Sequence, residues 1–307
     1  MGILPSPYNL NQLSRDEIEL HHLEGLLCHY SKNSCSEEFS RRTKKQWIHN
    51  TILLEEAKEL GKISLQNHLH GVLLKGIHLL TFLYEDPGMR FMSDIDILIS
   101  SKDFAQWEKV LEENGYEARS MSAFGGRIHK TDWTKIIQNI EVNLELHTEL
   151  FYHLEHFKWE TQKSQIVGFE ELTITNLFLH LCGHLVFQHT FMRLNWLYDL
   201  YFLFEKEKHN INWVHLYEQA HKAKLFRSVQ MVLWILKSFF NIQMTDTPLT
   251  LFNLSGKHNW QRMLTSDFLL HPNENALRFI AMKHLTKDSL QDAAQYDLLW
   301  MKQKFFS

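Results

Sequence analysis

The spacing of apolar and polar positions changes character along the chain. Residues 9–31 carry apolar positions at helical spacing among polar ones, and the Ser/Glu-rich stretch SKNSCSEEFS then connects onward. A second, longer helical pattern opens on Arg41, Arg42, Lys44 and Lys45 and runs to about Leu69. Such a charge run forms a solvated helix face. From residue 71 the period shortens. GVLLKG (71–76) reads as a short strand ending in a turn, IHLLTFLYE as a helix, and Asp86-Pro87-Gly88 as a turn. Residues 93–100, SDIDILIS, make the clearest strand. Residues 102–114 return to a helix that stops at Asn114-Gly115, a left-handed cap.

Further strand patterns follow at 116–118, 127–130, 135–138 and 140–150, with Phe124-Gly125-Gly126-Arg127 as a hairpin loop. Beyond about residue 165 the pattern is helical almost to the end. Residues 175–206 are apolar nearly all round and predict one buried central helix; 213–224, 226–240 and 258–304 supply more. The expected organisation is an N-terminal helical extension (1–44), an α/β or α+β sheet domain (45–165) and a helical domain (166–307).

Composition narrows the function. Of 307 residues, 44% are hydrophobic and 22% charged, enough to bury a large core. The balance of 32 Lys+Arg against 36 Asp+Glu gives a net charge of -4, which argues against a protein held on long nucleic acid by phosphate neutralisation. Three cysteines without a CxxC pair predict reduced thiols in a cytoplasmic protein, not a disulfide scaffold or zinc ribbon. No apolar run reaches membrane length; the nearest, 177–191, is interrupted by His180, His184 and Gln188. GxSxG, P-loop and GxGxxG motifs are absent from the sequence.

Asp94 and Asp96 carry the chemistry. In a strand, residues i and i+2 project to one face, so the two carboxylates point together. Their repulsion needs an offset, and Mg²⁺ supplies one: it binds one or two carboxylates together with substrate phosphates. The other reading is the exposed face of an amphipathic strand. A third acid favours the metal. IEVNLELHTEL alternates strictly, placing Asn143, Glu145 and His147 on one face. A neighbouring strand would bring Glu145 beside the pair, and three such acids hold two cations about 3.5–4 Å apart for in-line phosphoryl or nucleotidyl displacement. Glu141 and Glu149 compete for the third place.

The stretch LLKGIHLLTFLYEDPGMRFMSDIDILIS, followed by Glu113-Asn114-Gly115-Tyr116, resembles the uncharacterised bacterial nucleotidyltransferase family of the DNA polymerase β-like superfamily. Glu145-Leu146-His147-Thr148 matches a later strand of that family. His180 to Phe204, with HxxxH, Arg193, Leu194, Trp196, Leu197 and Asp199, matches its helical part.

The resemblance implies an α+β fold, a small mixed sheet flanked by helices with a mostly helical C-terminal part. It implies Asp94, Asp96 and Glu145 as catalytic metal ligands for Mg²⁺ or Mn²⁺. Lys75 and Gly76 would cradle phosphate, with Lys75 and Arg90 neutralising the triphosphate; the alternatives are a solvated lysine and an arginine paired with Asp86 or Asp94. The implied reaction moves a nucleoside monophosphate from an NTP such as ATP to a hydroxyl or phosphate acceptor and releases pyrophosphate. With the acidic charge balance, a small molecule, peptide or protein acceptor is favoured over long nucleic acid. Glu145 stands where the family carries Asp, and Thr148 where it carries Trp. These departures motivate a second reading, a non-catalytic nucleotide- or partner-binding module on the same fold.

At 100° per residue, His180, His184, Gln188, Asn195 and Asp199 share about a third of the helix circumference. They read first as hydrogen-bonding groups in the core, then as the lining of an acceptor pocket next to the sheet, and last as a zinc site. HLCGH lacks the glutamate of HExxH. His147, beside the metal strand, is expected to touch substrate or phosphate.

Overall fold

The computed structural model describes residues 4–124, 127–154 and 157–306. Gly125 and Gly126 of the expected hairpin loop lie outside them. The chain divides into two units: residues 1–36 with 174–307, and residues 37–173.

The first unit begins with α1 (Arg15–Leu20), closed by a capping box from Ser14 and Glu17, and α2 (Glu24–Tyr30). This segment, expected to stand as a separate extension, groups with the C-terminal helices. The reason is polar as well as apolar. Buried His21 donates from Nε2 to the Leu270 carbonyl at 2.9 Å and accepts at Nδ1 from the Leu194 amide at 3.2 Å. The Tyr198 hydroxyl donates to the Pro5 carbonyl.

Cys28 and Cys35 are joined by a disulfide, which corrects the expectation of three reduced thiols. The turn Lys32–Ser34 brings their Cα atoms to 4.7 Å, within disulfide reach, a proximity that counting cysteines does not reveal. Cys182 is free and buried.

The second unit opens with α3 (Glu37–Gln66), whose inward stripe includes Leu53, Ala57, Leu60 and Ser64. Next come β1 (Val72–Leu73), α4 (Lys75–Phe82), β2 (Asp94–Leu98) and α5 (Phe104–Glu113). The helix α4 starts at Lys75 itself, so the Lys-Gly turn is its first turn. Gly115, at φ +80°, ends α5 as the left-handed cap requires. Then follow β3 (Glu117–Phe124), β4 (Arg127–Ile137), β5 (Ile140–His147), β6 (Thr161–Lys163) and β7 (Glu170–Leu172). The last two were not expected. Each is three residues long, too short to show a period of two.

The seven strands form one mixed sheet in the order β3-β4-β5-β2-β1-β7-β6. The fold is α+β. Ile95 and Ile97 of β2 and Val142, Leu144 and Leu146 of β5 join Leu53, Ala57 and Leu60 of α3 in one core. One sheet face therefore packs on helices, and alternation sends the intervening polar residues of β2 and β5 to the other face. Buried Glu56 of α3 accepts from the Tyr116 hydroxyl and the Lys135 ammonium, at 2.9 and 2.8 Å.

The first unit resumes with α6 (Ile174–Cys182), continuing as a π-helical turn over Gly183–Gln188, then α7 (Leu194–Glu207), α8 (Trp213–Lys222) and α9 (Phe226–Ser238). Next come α10 (Asp246–Leu251), α11 (Ser266–Leu270), α12 (Ala276–Leu285) and α13 (Leu290–Phe306). The single helix expected over 175–206 is two. Thr190 and Phe191 take φ +49° and +62°, which a right-handed helix cannot contain, and the chain turns there. The helix α6 packs against α7, α8 and α9, which is why its stretch is apolar all round. Among the described residues, no helix is long and apolar enough to cross a membrane.

Candidate functional site

The site begins with a strand register. β2 and β5 run parallel, pairing Asp94 with Asn143, Asp96 with Glu145 and Leu98 with His147. Paired residues share a face, so Asp94, Asp96, Glu145 and His147 all project from the face opposite the core. Of the competing acids, Glu141 lies before the part of β5 that pairs with β2, and Glu149 lies beyond the end of β5. The register sets Glu145 directly across from Asp96.

Asp96 is only 3% exposed and its carboxylate is heavily engaged. Lys75 Nζ donates to Asp96 Oδ1 at 2.7 Å, and His147 Nε2 donates to the same oxygen at 2.8 Å. His147 Nε2 also lies 3.2 Å from Glu145 Oε2. Lys130, from β4, bonds the other Glu145 oxygen at 2.7 Å and Asp132 at 2.9 Å. Sequence reading missed Lys130 and Asp132. Their signal was alternation: they sit two apart in β4, opposite His147 and Glu145 respectively.

Burial and charge act against each other here. Burial alone would raise the Asp96 carboxyl, but Lys75 and His147 outweigh it and hold Asp96 well below the ordinary carboxylate range. Glu145 is lowered in the same way, burial being overcome chiefly by its bond to His147. Asp94 has no such direct cation. Burial, then the charges of Asp96 and Glu145, push it up to about 7. Burial lowers the Lys75 ammonium, and Asp96, Glu145 and Asp94 together more than restore it. His147 is likewise raised by Asp96 and Glu145 against its burial.

Backbone geometry sets Lys75 in place. It holds φ +44°, a left-handed conformation uncommon for a side-chain-bearing residue, at the first turn of α4. Gly76 follows in close quarters: an added Cβ would come within 2.4 Å of Met92 Sδ and 2.9 Å of Arg90 Nη1, so those side chains would have to move. Arg90 is thus buried against the Lys-Gly turn, and buried Asn50 fixes its backbone by donating to the Arg90 carbonyl at 2.8 Å.

The structure brings together Asp94, Asp96, Glu145, His147 and Lys75, and sets Gly76 against Arg90. His180, His184 and Asp199 belong to the helical unit, where all three are buried. The His184 ring lies 4.5 Å from that of His189 and 4.9 Å from that of Trp196. The turn at Thr190 and Phe191 removes the single helical face on which His180 and Asp199 were expected to line up.

Asp96, Glu145 and His147 offer three ligand atoms within 4.8 Å of one another. Two carboxylate oxygens and an imidazole suit a hard or borderline divalent cation. A cation there would replace the Lys75 ammonium and the shared His147 proton, the usual competition at a site assembled from titratable groups. The donor set fits.

The mixed sheet thus carries two aspartates on one strand face and a third carboxylate on the parallel neighbour. The chain belongs to the family described as uncharacterised nucleotidyltransferase, whose model matches residues 16–241. Among solved structures it is similar to an antigenic nucleotidyltransferase-like protein from Paracoccidioides brasiliensis, at 13% identity and a TM-score of 0.36, over 50% of this chain and 76% of that one. No curated protein matches it.

Proposed function

We propose that this acid face transfers a nucleoside monophosphate from an NTP, ATP among the candidates, to a hydroxyl or phosphate acceptor, with Mg²⁺ or Mn²⁺. The observation that carries the reading is the pairing of Asp96 with Glu145, with Asp94 and His147 on the same face. Asp96, Glu145 and His147, with Asp94 beside them, would hold the metal. When bound, it supplies charge neutralisation and Lewis acidity toward phosphate oxygens.

The chain's own groups do the rest. Lys75 and Arg90 offer positive charge to the triphosphate from the foot of α4 and the turn packed against it. The acceptor oxygen bonds to the α-phosphorus while the bridging bond to the β-phosphate breaks, its electron pair leaving with pyrophosphate. The hydroxyl proton passes to Glu145. Catalysis of this kind comes from positioning and charge stabilisation. Incubation with each labelled NTP, Mg²⁺ or Mn²⁺ and candidate acceptors should release pyrophosphate and label the acceptor, and Asp96→Asn should abolish both.

One observation favours a second reading, a non-catalytic nucleotide-binding module. Lys75 already places a cation among the three carboxylates. Nucleotide binding without pyrophosphate release from any acceptor mixture would select it.

A further inference from the structure

The acid face has a recess at each end. One, of about 230 Å³, is lined by Ser93, Asn143, Arg119 and three carboxylates, Asp94, Asp132 and Glu145. Its cation arrives through a β-bulge: the β3–β4 register shifts between Ala118 and Ser120, so Arg119 stands outside the ladder, its guanidinium 3.8 Å from Glu141. Lys130, bonded to Glu145, adds a second positive charge nearby. The other recess is a cavity of about 920 Å³ reached at Leu98 and Thr148. Leu98 lies four residues beyond Asp94, roughly 13 Å along the strand, with Asp96 between.

The two recesses differ in chemistry. The larger is floored by Leu98 and Val72, which pair with each other on the acid face, and walled by Phe104, Phe157 and Trp159. The Phe157 and Trp159 rings pack edge to face at 4.8 Å. Ser100 and Thr148 contribute hydroxyls, and Glu149 and Glu170 line it against the single lysine Lys158. An aromatic-walled cavity with two carboxylates repels a polyphosphate and suits a flat, uncharged or cationic body. In-line displacement needs the attacking oxygen and the departing pyrophosphate on opposite sides of phosphorus. A divalent cation held by Asp94, Asp96 and Glu145 would draw the triphosphate to the recess that Asp94 and Glu145 line, which leaves the aromatic cavity for the second substrate.

We propose that the cavity is the acceptor site, taking a neutral or cationic small molecule with an aromatic body and a hydroxyl directed at Asp96 and Glu145. The proposal rests on the nucleotidyl-transfer reading and names its acceptor class. In the reaction, that hydroxyl oxygen bonds to the α-phosphorus, pyrophosphate departs with the bridging electron pair, and the proton goes to Glu145.

Calorimetry on the full chain tests it, with tyramine as probe, 4-hydroxyphenylacetate as its anionic counterpart, and Mg·ATP titrated separately. Tyramine should bind at least tenfold tighter than the anion. Trp159→Ala should weaken tyramine at least tenfold and leave Mg·ATP within twofold. Ser101→Trp, at an exposed position on the cavity lining, should block tyramine without burdening the core. If both variants weaken Mg·ATP and spare tyramine, the cavity holds nucleotide and the acceptor assignment is overturned, with nucleotide binding intact. Failure of tyramine to bind at millimolar concentration overturns it as well. Cavity-dependent tyramine binding in a chain that never binds Mg·ATP would support the aromatic site while rejecting nucleotidyl transfer.

Discussion

The Lys75 ammonium lies 2.7 Å from Asp96 Oδ1, at the place where a metal-dependent site needs positive charge. The lysine is 18% exposed and the aspartate 3%, so the pair is largely removed from water. Removing one member of such a pair leaves the other uncompensated. Lys75→Met should therefore cost about 3 kcal/mol of unfolding free energy in EDTA. Saturating Mg²⁺ should recover most of that loss. Urea denaturation with and without Mg²⁺ measures both, and an equal loss in the two conditions would show that lysine and metal do not share the position.

His21 sets a pH dependence for the helical unit. Burial lowers its pKa from 6.5 to about 4, because the neutral ring is the form that bridges Leu270 and Leu194. Below pH 6.5 the unfolded chain takes up a proton that the folded chain refuses. The contribution is thus complete above pH 6.5 and is lost as pH falls toward 4, by roughly 3 kcal/mol at the limit. His21→Gln should flatten stability across that window, as thermal melts between pH 4 and 7 would show.

Glu145 separates binding from turnover. Glu145→Gln keeps the shape but lacks the basicity to accept the acceptor proton, so turnover should fall about 10²-fold or more. NTP should still bind, at a higher Mg²⁺ concentration than the unsubstituted chain needs. Glu145→Asp should preserve or improve turnover, read as pyrophosphate release at saturating substrate.

Gly76 offers a purely steric test. The Cβ of Gly76→Ala would meet Met92 Sδ at 2.4 Å and Arg90 Nη1 at 2.9 Å, so Met92 must shift first and Arg90 with it. Overpacking of this kind costs about 1–3 kcal/mol. The denaturation midpoint should fall, and triphosphate affinity should fall with it, while the affinity of the bare nucleoside stays near its original value.

Alternation makes the acid face legible in the sequence itself. SDIDILIS and EVNLELH each declare which residues share a side. Which strand lies beside which is a property of the whole sheet, and the parallel β2–β5 pairing resolves the choice among Glu141, Glu145 and Glu149. The ion pair between Lys75 and Asp96 was not legible, since it needs a left-handed backbone at a lysine. Nor was the break after the π-helical turn that follows α6. The sequence near Thr190 and Phe191 carries no proline or glycine, and the chain turns there through two non-glycine residues at positive φ. The small strands β6 and β7 gain their form from pairing with each other, and β7 from pairing with β1, not from a local pattern.

The parallel pairing of β2 with β5 also imposes an order of events on folding. β3, β4 and β5 pair with near neighbours in the chain and can zip early as a local meander. Asp96 and His147 stand 51 residues apart, so their meeting waits for a long loop to close. A ligand that grips both strands has nothing to hold until that closure is complete. Nucleotide or metal that grips both strands should therefore slow the unfolding of the finished sheet.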